Sequence, residues 1–349
     1  MQHEITASRP LLDARGNIAE PGFARSLLPV YRRADVKASS LRLKEWDYYC
    51  VSNGKIALCL TIADNGYMGL DSVSLLNLEE GWEITTSPMQ ILTRGKKNLP
   101  ETSKAGVSAA AGKGYYLQFS VENGRRVLLA QMRKFGPEGS LYAKVTLTDE
   151  PAESMVIATP FRKDGHFYYN QKINCMRAEG FVTYGYHNTT YEFQPEDSFA
   201  VLDWGRGVWT YDNTWYWGSG NQVINGHDFG FNIGYGFGNT KAATENVIFY
   251  NGKAHKLDDL EIRIPGDVSL YDMDSPRYME PWTIHEESGR FEMTFVPVLD
   301  RSAKMDFKFI VSDQHQVFGR MSGKAVLDDG QEITVKDLLC FIEKVHNKY

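Results

Sequence analysis

Long apolar runs, helical periodicity and an excess of positive charge are all scarce in this chain of 349 residues. The best apolar segment, KIALCLTIA (55–63), is too short to span a bilayer as a helix and carries a lysine, so no stable membrane insertion is expected. The opening MQHEITASRPLLDARGN has no basic stretch leading into an apolar one, which argues against a secretory signal. Formal net charge is −6 with no long Lys/Arg run, so a nucleic-acid partner is not expected. Cysteines number four, Cys50, Cys59, Cys175 and Cys340, without CxxC spacing. They read as reduced thiols of a cytoplasmic protein. The histidines are scattered, with no HxH or HExxH pair, so no metal is expected. A GxSxG elbow, a P-loop and a glycine fingerprint between strand and helix are missing too, so no cofactor is expected.

What the chain does have is turn signals and rings. Asn-Gly or Asp-Gly occurs at 53, 65, 123, 164, 225, 251 and 329, and such pairs tolerate the positive φ of tight hairpins. Strand-like segments flank most of them, for example YYLQFSV and RRVLLAQM around Asn123-Gly124. Aromatics at 13% suit half-buried sheet surfaces. The expectation is an all-β, antiparallel protein of barrels or sandwiches with few helices. Only DLLCFIEKVHNKY (337–349) reads equally as helix or last strand. The polar interruption Gln194-Pro195-Glu196-Asp197 divides the chain into two expected domains, 1–195 and 196–349.

The stretch DWGRGVWTYDNTWYWGSG (203–220) carries four of the seven tryptophans, Trp204, Trp209, Trp215 and Trp217. It leads into GHDFGFNIGYGFG (226–238), which alternates strictly, rings and Ile233 on one face and mostly glycine on the other. Glycine inside a strand costs stability, so the bare face implies a bulky neighbour. Either Trp215 and Trp217 fold over it, or a ligand lies against it inside a barrel. Tyr235 belongs to the same wall.

Charges here are few, which makes each a candidate. Asp203 and Arg206 would brace a barrel end if Gly205 bulged the chain. Alternatively, Asp203 against aromatic faces would be desolvated and become a proton donor. Asp212, among Trp209, Tyr211 and Trp215, fits that role too, unless it is a turn aspartate. Glu245 and Asn246 head the strand TENVIFY and are candidate ligand contacts. In KEWDYY (44–49) Glu45, Asp47 and Tyr49 share one face, whose charges either meet solvent, the reading expected here, or line a site.

KEWDYY, DWGRGVWTYDNTWYWGSG, GFNIGYGFGN and TENVIFYNGKAHKL, with QVFGRMSG and the region of Glu343, resemble the domain-of-unknown-function family 2804 over essentially the whole chain. The order of parts also resembles, more distantly, the carotenoid hydratases and related tandem-lipocalin proteins. That resemblance implies two consecutive lipocalin-like (calycin-type) barrels. It also implies a motif of Trp209, Asp212 and Trp215 opening the second barrel, and Gly323, Asp329-Gly330 and Glu343 closing it. Three functions follow as expectations. The first is binding of an apolar or isoprenoid-like small molecule, with Asp212 or Asp203 protonating an alkene in an enzyme version. The second is a carbohydrate-active enzyme using paired carboxylates and Trp stacking. The third is a non-catalytic scaffold in which the tryptophans only pack.

Overall fold

The computed structural model describes residues 2–306 and 310–349. Apart from one 3-10 turn at Arg33–Asp35, its regular elements among the described residues are strands, as the sequence leads one to expect. Three of the Asn-Gly pairs do what their chemistry predicts. Asn123-Gly124, Asn225-Gly226 and Asn251-Gly252 have positive φ at both residues and close two-residue hairpins.

Two curled antiparallel sheets, the halves of a tandem lipocalin-like fold, carry the chain. In the first, Ile56–Asp64, Leu43–Ser52, Phe199–Val208, Phe167–Tyr184 and Leu141–Thr148 lie side by side in that order. The centre of the second runs His227–Tyr235, Asp212–Ile224, Glu332–Lys348, Val311–Val326, Phe291–Asp306. Each sheet curls over its own apolar core. Leu43, Tyr49, Val51, Leu202, Trp204 and Phe167 belong to the first core, and Phe229, Phe231, Ile233, Phe291 and Ile342 to the second.

The segment following the polar interruption at 194–197, Phe199–Val208, is hydrogen-bonded within the first sheet. The chain passes to the second sheet between Val208 and Asp212. The C-terminal segment is a strand, paired on both sides. Its two faces are both buried: Leu338, Cys340 and Ile342 enter the core, while Phe341, Glu343 and Val345 lie on the opposite face, Phe341 packed with residues of the first sheet. Such a strand has no polar face, which is why its sequence reads as helix or strand alike.

The outer faces of the two sheets pack on each other, and this layer contains the residues the sequence singles out. From the first sheet come Trp46, Tyr48 and Cys50, then Val201; from the second come Trp215, Trp217, Phe318 and Phe341. A bulge in Phe167–Tyr184 between Ile173 and Met176 lifts Asn174 and Cys175 out of register. Asn174 then donates to Ser219 Oγ at 2.9 Å and to the Phe231 carbonyl at 3.0 Å, fastening one sheet to the other.

Candidate functional site between the sheets

Alternation decides which residues reach this layer. In Phe199–Val208 the even positions, with Trp204 and Arg206, point into the first core, so Asp203 points the opposite way. The strand is regular against Leu43–Ser52, Gly205 does not bulge, and no Asp203–Arg206 pair forms. This corrects the brace expected from the sequence. Arg206 instead lies fully buried inside the first barrel, 3.0 Å from Asp47 and 3.7 Å from Glu45. The same contacts correct the reading of KEWDYY. Glu45 and Asp47 do not meet solvent; a buried guanidinium needs buried carboxylates, and these supply them.

The glycines have two kinds of neighbour. Gly205 stands opposite Trp46, and a methyl there would come within 1.9 Å of the indole. Gly207 makes the same room for Trp209. In the alternating strand, a methyl on Gly230 would meet Cys175 Sγ at 2.7 Å, and one on Gly234 would meet Glu245 Oε1 at 2.9 Å. Gly236 lies past the strand end at φ +93° and is exposed. The bare face is thus where the first sheet and Glu245 approach. Trp215 and Trp217 do not lie over these glycines, and the barrel interior behind them is filled by Phe229, Phe231 and Ile233.

Three carboxylates are buried in the inter-sheet layer. Asp203 accepts from Trp46 Nε1 at 3.1 Å, from the Asn170 amide, and from Lys172 Nζ at 2.8 Å; Lys172 also sits 4.1 Å from the centre of the Trp217 ring. Glu343 accepts from Trp215 Nε1 at 3.1 Å and from Gln316 at 3.0 Å. Glu245 has one carboxylate oxygen buried without a hydrogen-bond partner among the described residues. Lys172 and Arg301 act on Glu343, and Lys172 and Lys256 on Glu245. Burial, opposed by the Trp215 hydrogen bond, Arg301 and Lys172 and reinforced by Asp203, pushes Glu343 from 4.5 up to about 7. Burial raises Glu245 too, against the pull of Lys172. The Tyr168 hydroxyl, held neutral by burial and by the charges of Glu245, Asp203 and Glu343, completes the cluster.

Two clusters of rings surround these groups. Trp46, Trp209 and Trp215 meet edge to face at 5.3 and 5.8 Å, with Phe237 among them. Tyr48, Trp217, Phe341 and Phe318 make a second cluster, at 5.8, 4.8 and 5.6 Å. Beyond this second cluster a groove of about 300 Å³ opens between the sheets, floored by Cys50, Val201, Ser219, Phe318 and Phe341. Each floor residue is followed, two positions along the same strand face, by a member of the buried cluster or its rings: Tyr48, Asp203, Trp217, Gln316 and Glu343. That step is about 7 Å.

Other candidates lie elsewhere. Asp212 is at the surface, its side chain 42% exposed and held by His346 at 3.6 Å and Lys348 at 3.4 Å; the indoles do not bury it. Trp204 packs in the first core under the Arg206 guanidinium. Tyr235 stacks on Tyr216 at 4.7 Å at the edge of the second core. Asn246 is buried but its amide serves the backbone, accepting from Gly234 and donating to Asp258. Lys172, Asn170 and Tyr168 carry no motif in sequence. Their signal was the alternation in FYYNQKI, whose polar face reads as a wet one.

No helix of the described residues is long and apolar enough to cross a membrane. Among solved structures, the chain is similar to kievitone hydratase from Nectria haematococca, with 10% identity, 98% of each chain covered and a TM-score of 0.50. It is also similar to an AttH protein from Nitrosomonas europaea, with 12% identity, 87% of this chain and 92% of that one covered, and a TM-score of 0.48. At these identities the first likeness speaks for the fold alone. No curated protein sequence matches the chain. A family model described as a domain of unknown function, DUF2804, matches residues 2–349.

Proposed function

We propose, for a chain that belongs to the DUF2804 family, that the layer between the barrels binds an apolar, unsaturated small molecule and hydrates it. The observation that carries this reading is the buried carboxyl cluster one strand step behind a groove lined by Val201, Phe318 and Phe341 together with the charged Glu196, Asp197, Arg320 and Asp337. A carboxyl that keeps its proton near neutral pH in a low-dielectric site is a general acid waiting for a base as weak as an alkene. Glu343 is that group. It gives its proton to one alkene carbon, and the cation left on the other faces the indoles of Trp217 and Trp215, whose ring faces stabilise positive charge. Water adds to the cation and passes a proton to a neighbouring carboxylate, Asp203 or Glu245. The cluster thereby recovers its proton, and the net change is addition of H and OH across the double bond. The similarity in fold to a protein named a hydratase supports this chemistry without assigning a substrate.

The Trp217–Phe341–Phe318–Tyr48 rings stand between groove and acid, so the ligand must displace at least one of them. A glycosidase instead needs two carboxylates across an open cleft. The burial of all three here favours the apolar ligand over a saccharide.

Incubation with isoprenoid alcohols of increasing length in ¹⁸O-water tests the reading. One of them should acquire a labelled hydroxyl, and Glu343→Gln should slow this by ~10²–10⁴-fold while Asp212→Asn leaves it intact. Equal rates in wild type and Glu343→Gln would remove Glu343 from the chemistry.

A further inference from the structure

The structure assigns a second reactive centre, independent of any ligand: Cys50 and Cys59 form a dithiol that a hydroperoxide converts reversibly to a cross-strand disulfide. The two residues are directly opposite in the antiparallel pair Leu43–Ser52 and Ile56–Asp64. Their side chains leave the same face, and the sulfurs lie 3.8 Å apart. A disulfide requires about 2.05 Å between sulfurs, so closure asks for small side-chain rotations. The strands already hold the two residues in register.

The surroundings distinguish this pair from an inert core couple. The Tyr48 hydroxyl donates to Cys59 Sγ at 3.4 Å. On the other side, Ser74 is the cross-strand partner of Cys59, and the Arg301 guanidinium donates to Ser74 Oγ at 2.7 Å. A fixed positive charge and a hydroxyl donor therefore both attend the pair, the setting in which a thiolate forms. Burial pushes the Cys59 thiol up, but its hydrogen-bonded contact with Cys50, the Arg301 charge and the Tyr48 hydroxyl outweigh it, so Cys59 ends below the ordinary thiol value. Cys50 moves the opposite way, through that same hydrogen bond and its burial. Cys50 also lines the groove, which gives a small oxidant a path to the pair. Cys175 and Cys340 have neither partner nor donor set of this kind, and burial raises both.

The reaction balances with a hydroperoxide as oxidant. The Cys59 thiolate attacks the distal oxygen, the O–O bond breaks, and hydroxide (or alkoxide) leaves and is protonated, giving a sulfenic acid on Cys59. Cys50 loses its proton and attacks that sulfur, the S–O bond breaks, and water leaves. With hydrogen peroxide the sum is two thiols and one peroxide giving one disulfide and two waters.

Full-length native protein, treated near neutral pH with one equivalent of hydrogen peroxide and alkylated only after denaturation, provides the test. Before alkylation the mass should fall by about 2 Da relative to the reduced chain, after it two of the four cysteines should stay unalkylated with the 50–59 peptides linked, and dithiothreitol should restore both thiols. In Cys50→Ser, which lacks the resolving thiol, dimedone should trap a sulfenic acid on Cys59. Oxidised wild-type protein with Cys50 and Cys59 both still alkylatable would overturn the assignment, as would dimedone labelling of Cys175 or Cys340 with Cys59 unlabelled.

Discussion

Glu343 is unusual because its environment is assembled from both sheets: Trp215 and Gln316 hold its oxygens, while Lys172 and Asp203 act on it from across the layer. The folded protein binds its proton more tightly than the unfolded chain does, about 7 against 4.5. For a carboxyl raised in this way, stability is highest below the unfolded value and falls as pH rises towards 7, then levels off. The loss from this one group is on the order of 3 kcal/mol. Urea titrations at several pH values between these limits should show the decline in wild type and a flatter profile in Glu343→Gln. Parallel profiles for the two proteins would mean that Glu343 ionises normally. Asp212 offers a control at the same scale. It is exposed and paired with Lys348, so Asp212→Asn should change stability by less than ~1 kcal/mol.

At the scale of the element, alternation does most of the positioning, and it explains what could be read from sequence. The all-β class was legible because hairpin turns demand particular residues, and Asn123-Gly124, Asn225-Gly226 and Asn251-Gly252 supply them. The aromatic and glycine positions were legible as a wall, since bare backbone requires a neighbour. What stayed hidden was which neighbour. Gly230 and Gly234 make room for Cys175 and Glu245, residues 55 and 11 positions away, brought there by a bulge and a turn that no local pattern announces. Asp203 and Arg206 stand out in sequence as rare charges, but a regular strand sends them to opposite faces and to different partners. Glu343 could be reached only through resemblance, because a strand buried on both faces gives a carboxylate no polar side to mark. Gly205 tests the packing side of this account. A methyl there would sit inside the Trp46 indole, so Gly205→Ala should cost at least ~1–3 kcal/mol and alter the near-ultraviolet circular dichroism of the tryptophans. A neutral substitution would show that the indole is free to move aside.

Taken whole, the molecule shares its chemistry between two barrels. Neither sheet alone could bury Asp203, Glu245 and Glu343 with Lys172 and Arg301, and neither could cover Trp46 and Trp217. The barrels should therefore unfold together. Calorimetry should give one transition with equal calorimetric and van't Hoff enthalpies. Asn174→Ala, which strips the side-chain amide that donates across the inter-sheet bulge to Ser219 and the Phe231 carbonyl, should lower stability by about 1–3 kcal/mol. Two separated transitions in the wild-type protein would show that the barrels are independent and the shared cluster incidental.

The most direct test of the site is where an apolar ligand goes. A long-chain isoprenoid alcohol bearing a diazirine, photolysed with the native protein and followed by peptide mapping, reports the residues that surround it. The account predicts labels on the strands around Cys50, Val201, Phe318 and Phe341, diminished by competing unlabelled alcohol. Labels confined to the barrel cores around Phe231 or Phe167, or scattered over the outer surface without competition, would contradict it.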